Sequence, residues 1–220
     1  MKITKYAQSC FLVETKGKRI LIDPGYLQWE ESLLQKDWVN IDIILVTHKH
    51  GDHCHEESVK TIMGNGGCVI YSSKEVAEKY PDLNIKVVRV ENVLNFDAIK
   101  IEVVKAVHGY MPFLQGGNEI YDNIGFIIDD SENRFYTTSD SISFKNDYKC
   151  DILAVPVCNH GLVMGPFEAA LFAKETGAKL VIPCHYDNTK FPMSLDKIRN
   201  KFEKAGIKYK ILEVGKMIEV

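Results

Sequence analysis

The chain has 220 residues, of which 45% are hydrophobic, 10% aromatic and 26% charged, a balance that excludes a disordered or low-complexity protein. No run approaches the roughly 18 uncharged apolar residues of a membrane span, and Met1-Lys2-Ile3-Thr4-Lys5-Tyr6 lacks the apolar core of a signal peptide. With 27 Lys and Arg against 30 Asp and Glu the net charge is −3, and with no basic stripe no nucleic acid is expected as a partner.

Short β-rich runs open the chain at residues 3–7, 11–14 and 18–22, separated by polar or glycine turns such as Lys16-Gly17. Residues 41–47 are almost continuously apolar, which predicts a strand buried on both faces. A helix over 56–63 ends at Gly64-Asn65-Gly66-Gly67. A strand at 68–71 and a helix over 73–80 follow, with Ser73 as cap and Pro81 as stop. Further strands are predicted at 85–90, 99–107, 124–129 and 134–138. The second half alternates: buried strands at 152–157 and 180–183 enclose a helix over 166–176 whose first turn holds Pro166. Residues 195–205 form an amphipathic helix, and 209–214 and 216–220 read as a pair around Gly215. Meanders of strands with helices outside them predict an α/β (α+β) protein, a four-layer αββα sandwich. No linker divides the chain, so residues 1–220 read as a single domain. The six cysteines (Cys10, Cys54, Cys68, Cys150, Cys158 and Cys184) form no CxxC pair and are expected as buried, reduced thiols of a cytoplasmic protein.

Four of the seven histidines lie in Thr47-His48-Lys49-His50-Gly51-Asp52-His53-Cys54-His55, directly after the buried strand, where sheet proteins place ligand-binding groups. His48 and His50 point the same way if the chain stays extended, and Gly51 permits a turn that swings Asp52 and His53 toward a second point nearby. Three imidazoles and a carboxylate on one loop are costly to desolvate unless something compensates them. Borderline divalent ions such as zinc accept this mixture of nitrogen and oxygen donors. His55 reads as the opening of the next helix, and Cys54 and Cys184 as small neighbours of ligands.

This HxHxDH loop resembles that of the metallo-β-lactamase superfamily. Ile20-Leu21-Ile22-Asp23-Pro24, Val107-His108-Gly109, Thr138-Ser139-Asp140-Ser141 and Pro183-Cys184-His185-Tyr186 are similar, in order, to its other motifs. Within it, the ending Pro183–Asp187 is similar to that of compact metal-dependent hydrolases that include ascorbate-6-phosphate lactonase-like proteins. The resemblance implies two divalent metal ions, zinc or manganese, with iron as a further candidate. His48, His50 and His108 are then expected at the first, and Asp52, His53 and His185 at the second. Asp140 is expected to bridge both, and Asp23 to orient a ligating histidine. Asp52 and His160 are the expected catalytic residues beyond pure ligation.

Two departures stand out. Gln8 occupies a place where many relatives carry a histidine. Val157-Cys158-Asn159-His160-Gly161 replaces a Gly-Asp-Asn type loop, which makes His160 a substrate or proton-transfer candidate. Residues 110–117 are a candidate lid, and Tyr186, Asp187 and Lys190 are candidates for reaching a polar substrate. Hydrolysis of a small-molecule lactone or other ester by a metal-bridging hydroxide is the expected function. A phosphodiesterase or nuclease and a non-catalytic metal-binding module are the alternatives.

Overall fold

The computed structural model describes residues 1–28, 33, 36–64, 67–110, 119–188 and 191–220. Its first sheet is seven-stranded. An antiparallel part comprises β1 (Lys2–Lys5), β2 (Phe11–Thr15) and β3 (Lys18–Ile22). Parallel strands β4 (Ile43–Leu45), β5 (Val69–Ser72) and β6 (Lys86–Val87) extend it. The second sheet is six-stranded and built the same way. Antiparallel β7 (Val93–Phe96), β8 (Ile99–Lys105), β9 (Ile124–Asp129) and β10 (Arg134–Thr137) lead into parallel β11 (Ile152–Pro156) and β12 (Leu180–Cys184).

Side chains alternate across a strand, so the apolar runs divide between two faces. Phe11, Val13, Ile20, Ile22, Ile43 and Leu45 of the first sheet meet Ile101, Val103, Phe126, Ile128 and Ala154 of the second in one shared core. The residues between them point outward. Leu12, Leu21 and Ile44 pack with Val59 and Ile62 of α1 (Glu56–Gly64) and Val76 of α2 (Lys74–Lys79). Ile127, Leu153, Val155 and Val181 pack with Ala169, Phe172 and Ala173 of α3 (Pro166–Thr176) and Ile198 and Phe202 of α4 (Leu195–Lys204). Helix, sheet, sheet and helix form the predicted four layers, and strands covered on both faces explain the continuous apolar runs.

Three local expectations are corrected. The strand expected over 41–47 keeps ladder pairing only at Ile43–Leu45, because Thr47 turns to bond Asp23. Lys86–Val87 is all that remains of the run at 85–90. Residues 209–214 and 216–220 do not pair with each other. Instead β13 (Lys216–Glu219) joins the edge of β1, placing Ile218 opposite Ile3, while Tyr209 bridges to Val181. Gly215 donates its N–H to Lys5 O, so the turn serves docking onto β1 rather than a hairpin. The edge strand β7 escapes a sequence reading because its burial alternates only between exposed and half-buried.

Candidate metal centre

Loops that follow β4, β8, β10 and β12 meet at one end of the sandwich and carry the seven expected donors. A donor atom each from His48, His50 and His108 lies within 4.8 Å of the others, and the same holds for Asp52, His53 and His185. His48, His53 and Asp140 form a third such group, which places Asp140 between the two triads. Its Oδ2 is 2.9 Å from His185 Nε2 and 3.3 Å from His53 Nε2. His48, His53, Asp140 and His185 are all buried.

Neighbouring groups fix which ring nitrogen faces inward. His53 Nδ1 donates to Asp23 Oδ2 at 2.8 Å, and Asp23 itself accepts the backbone N–H of Thr47 at 2.8 Å and its hydroxyl at 2.7 Å. Asp23 thus takes the orienting place expected of it. His108 Nδ1 donates to Gly109 O at 2.8 Å. His48 Nδ1 faces the hydroxyls of Thr47 and Ser139 at 3.1 and 3.2 Å. Asn123 Nδ2 donates to Asp140 O at 2.8 Å, holding the turn that carries Asp140. The motif loop lies on the Asp23-Pro24-Gly25 turn so closely that a Cβ at Gly25 would stand 1.8 Å from Asp52 O, which only glycine permits.

The donor set fits divalent cations. His48 Nε2 and His50 Nδ1 face each other at 3.1 Å, a pairing that two neutral imidazoles sustain only around a shared proton or ion. His53 Nε2 is sealed from solvent and, among the described residues, has no well-aligned hydrogen-bond partner, with Asp140 Oδ2 standing 3.3 Å away. Burial opposes a charge on His53 and His185, yet Asp140 above all, with Asp23 beside His53 and Asp52 beside both, holds each imidazole well above its ordinary range. Burial likewise works against ionised Asp52, and His53 and His185 outweigh it. Protons here balance the charge that a cation would balance. At the other end of the cluster burial, reinforced by His53, drives His48 well below the usual range, as an imidazole ligand requires.

The remaining candidates divide. His160 is half-buried, stacks edge-on to Phe191 with centroids 4.8 Å apart, and lies 5.9 Å from the His185 ring. Its Nδ1 accepts Leu162 N–H at 3.2 Å, so the neutral ring carries its proton on Nε2. His55 binds Ser58 Oγ at 2.6 Å in the first turn of α1, as expected of a helix opening. Tyr186 donates to Leu212 O at 2.7 Å. Asp187 is held by Lys5 Nζ at 2.9 Å and by the backbone N–H of Gln8 at 2.8 Å, so it braces the site instead of facing a substrate. The candidate lid, apart from Tyr110, and Lys190 lie outside the described residues.

Sequence reading did not assign two further groups. Gln8, fully buried and at φ 53°, sends Nε2 to within 3.1 Å of Asp52 Oδ2 and 3.4 Å of His185 Nε2. Its departure from the usual histidine was the available signal. Cys158, two residues beyond β11, has its Sγ beside His160 and His185. Burial pushes this thiol up, but the two imidazoles outweigh it and bring it down to about 6.

Residues 2–185 match the family described as the beta-lactamase superfamily domain. A metal-dependent hydrolase of Korarchaeum cryptofilum is 29% identical over 224 residues, covering 96% of this chain and 95% of that protein. A metallo hydrolase from Ignicoccus hospitalis superposes with a TM-score of 0.82 at 22% identity, over 99% of this chain and 97% of that one. The metallo-β-lactamase fold protein YhfI of Bacillus subtilis does so at 0.78 and 18% identity, over 99% and 98%. With this match, this fold and a His/Asp donor cluster at the sheet ends, the chain belongs to the beta-lactamase superfamily, among its metallo-β-lactamase-fold members.

Proposed function

We propose that this metal-dependent hydrolase cleaves a lactone or other ester of a small molecule at a two-cation centre. His48, His50 and His108 would hold one ion, Asp52, His53 and His185 the other, and Asp140 both. The observation that carries this reading is the placement of Asp140 between two complete triads. Two such ions, when bound, would supply hydroxide at neutral pH and polarise the oxygen under attack.

The protein's own residues prepare that chemistry. Asp23 and Gly109 O keep protons on the Nδ1 atoms of His53 and His108, which leaves each Nε2 lone pair for ligation. Gln8 Nε2 holds the Asp52 carboxylate in place. His160, with hydrogen on Nε2, serves as a hydrogen-bond donor toward the substrate oxygen that gains charge. Six buried free thiols suit a reducing compartment, supporting a cytoplasmic setting. No helix among the described residues is long and apolar enough to cross a membrane.

The test is a turnover screen of metal-reconstituted protein against sugar lactones, thioesters, phosphodiesters and β-lactams, repeated with Asp140→Asn. Lactone or ester turnover that the variant loses supports the proposal. Turnover confined to phosphodiesters overturns the substrate class, and no turnover with both ions bound favours a non-catalytic metal module.

A further inference from the structure

The hydrolytic centre leaves one metal-binding side chain unused. Strands β11 and β12 run parallel with Pro156 opposite Cys184, and Val157 N–H donates to Cys184 O at 2.8 Å. The chain therefore leaves both strands side by side, carrying Cys158 and His160 on one loop and His185 on the other. Cys158 Sγ and one nitrogen each of His160 and His185 all lie within 4.8 Å of one another. The thiol is buried at 1% exposure and donates weakly to Phe191 O at 3.6 Å. A second observation lies on His185 itself. Among the described residues its buried Nδ1 meets no well-aligned hydrogen-bond partner, while Nε2 faces Asp140 at 2.9 Å.

We propose that Cys158, His160 and His185 form a third cation position, suited to soft divalent ions such as cadmium or excess zinc, and that filling it inhibits the hydrolytic centre. Thiolate with imidazole is the donor set such ions favour, whereas the hydrolytic triads offer only nitrogen and oxygen. Binding forms a metal–sulfur bond and releases the thiol proton to solvent, with no change of oxidation state.

The inhibition rests on the reading of His185 as a ligand of the second hydrolytic ion. A neutral imidazole has one ring lone pair, so His185 serves one position or the other. With Nδ1 as ligand to the soft ion, the ring proton moves to Nε2, where Asp140 Oδ2 accepts it. That tautomer withdraws Nε2 from the second hydrolytic position. His160 is the weakest of the three ligands, because ligating through Nε2 moves its proton to Nδ1 and breaks the bond from Leu162 N–H.

Cadmium titration of protein already holding its hydrolytic metals tests this. The expected result is an additional equivalent accompanied by the ultraviolet thiolate-to-cadmium charge-transfer band, with release of metal from the second hydrolytic position. Cys158→Ser should lose the band and the additional equivalent, while His160→Gln should keep the band at lower affinity. The other buried cysteines supply the control, since a band that survives in Cys158→Ser assigns the ion elsewhere and overturns the proposal. If Cys158→Ser does not fold, cadmium NMR of the unsubstituted protein decides: a bound resonance in the nitrogen/oxygen-only range overturns the site, and one in the thiolate range supports it. A hydrolytic centre wrongly assigned would show instead as unchanged metal content in a His50→Ala/Asp52→Ala double variant, which leaves Cys158 intact.

Discussion

Asp23 and His53 share a hydrogen bond of 2.8 Å, from imidazole Nδ1 to carboxylate Oδ2, and neither side chain has any solvent exposure. The bond ties the end of β3 to the motif loop after β4, so one carboxylate decides which face His53 turns to the centre. Asp23 adopts φ 48° to reach it, a conformation an aspartate accepts more readily than most residues. Asp23→Asn keeps the shape and removes the charge that fixes the ring, and metal affinity should fall by about 10–100-fold, as for other groups that orient a ligating histidine. Competition with a chromogenic chelator measures it, and an unchanged affinity would mean that Asp23 does not set the ring.

Metal content tests the two triads directly. His50 belongs to one and Asp52 to the other. Elemental analysis of gently purified protein should approach two divalent ions per chain, and the double variant His50→Ala/Asp52→Ala should lose most of both. Retention of the full complement in that variant would sink the assignment.

The buried Lys5–Asp187 pair should carry stability and alignment together. Lys5 Nζ is fully buried, donates to Tyr6 O at 2.8 Å and lies 4.7 Å above the Tyr186 ring. Asp187, 20% exposed, also holds the N–H of Gln8, whose carbonyl in turn accepts His185 N–H at 3.2 Å. Asp187→Ala leaves the ammonium without its counter-charge and should cost about 3 kcal/mol, the low end for breaking a buried pair given that partial exposure. Adding Lys5→Met should recover part of the loss in urea unfolding, and no recovery would mean that the Gln8 contact dominates.

Acid should weaken the far end of the sandwich through Asp130. Burial raises its carboxyl, but Thr15 Oγ1 at 2.5 Å and the N–H groups of Asn133 and Glu132 outweigh burial and hold it below the ordinary aspartate value. A depressed folded-state value means that the unfolded chain binds the proton first, so the stabilisation is complete above about pH 4 and is lost as pH falls through the folded value. Urea midpoints of the unsubstituted protein and Asp130→Asn should therefore converge on acidification. Metal release acts on both proteins alike and cancels in the comparison, and a difference that stays constant down to pH 2 would exclude the linkage.

HxHxDH after an apolar run was legible without a structure because the chemistry is local: the spacing puts four donors on one loop, a set that divalent cations accept. The layer order was legible too, since runs such as Ile20-Leu21-Ile22 are apolar at every position only when both faces are covered. What remained for the tertiary structure depended on residues far apart in the chain. The last strand chose β1 over its neighbour because an edge of unpaired backbone groups and the apolar contact of Ile218 with the core were available there. Asp187, two residues past the candidate ligand His185 and so a natural substrate contact on sequence grounds, was drawn to Lys5 because a buried ammonium requires a counter-charge. The departure at 157–161 pointed to His160 and not to Cys158. The place of Cys158 beside His185 follows from the parallel pairing of β11 with β12, which short-range pattern does not encode.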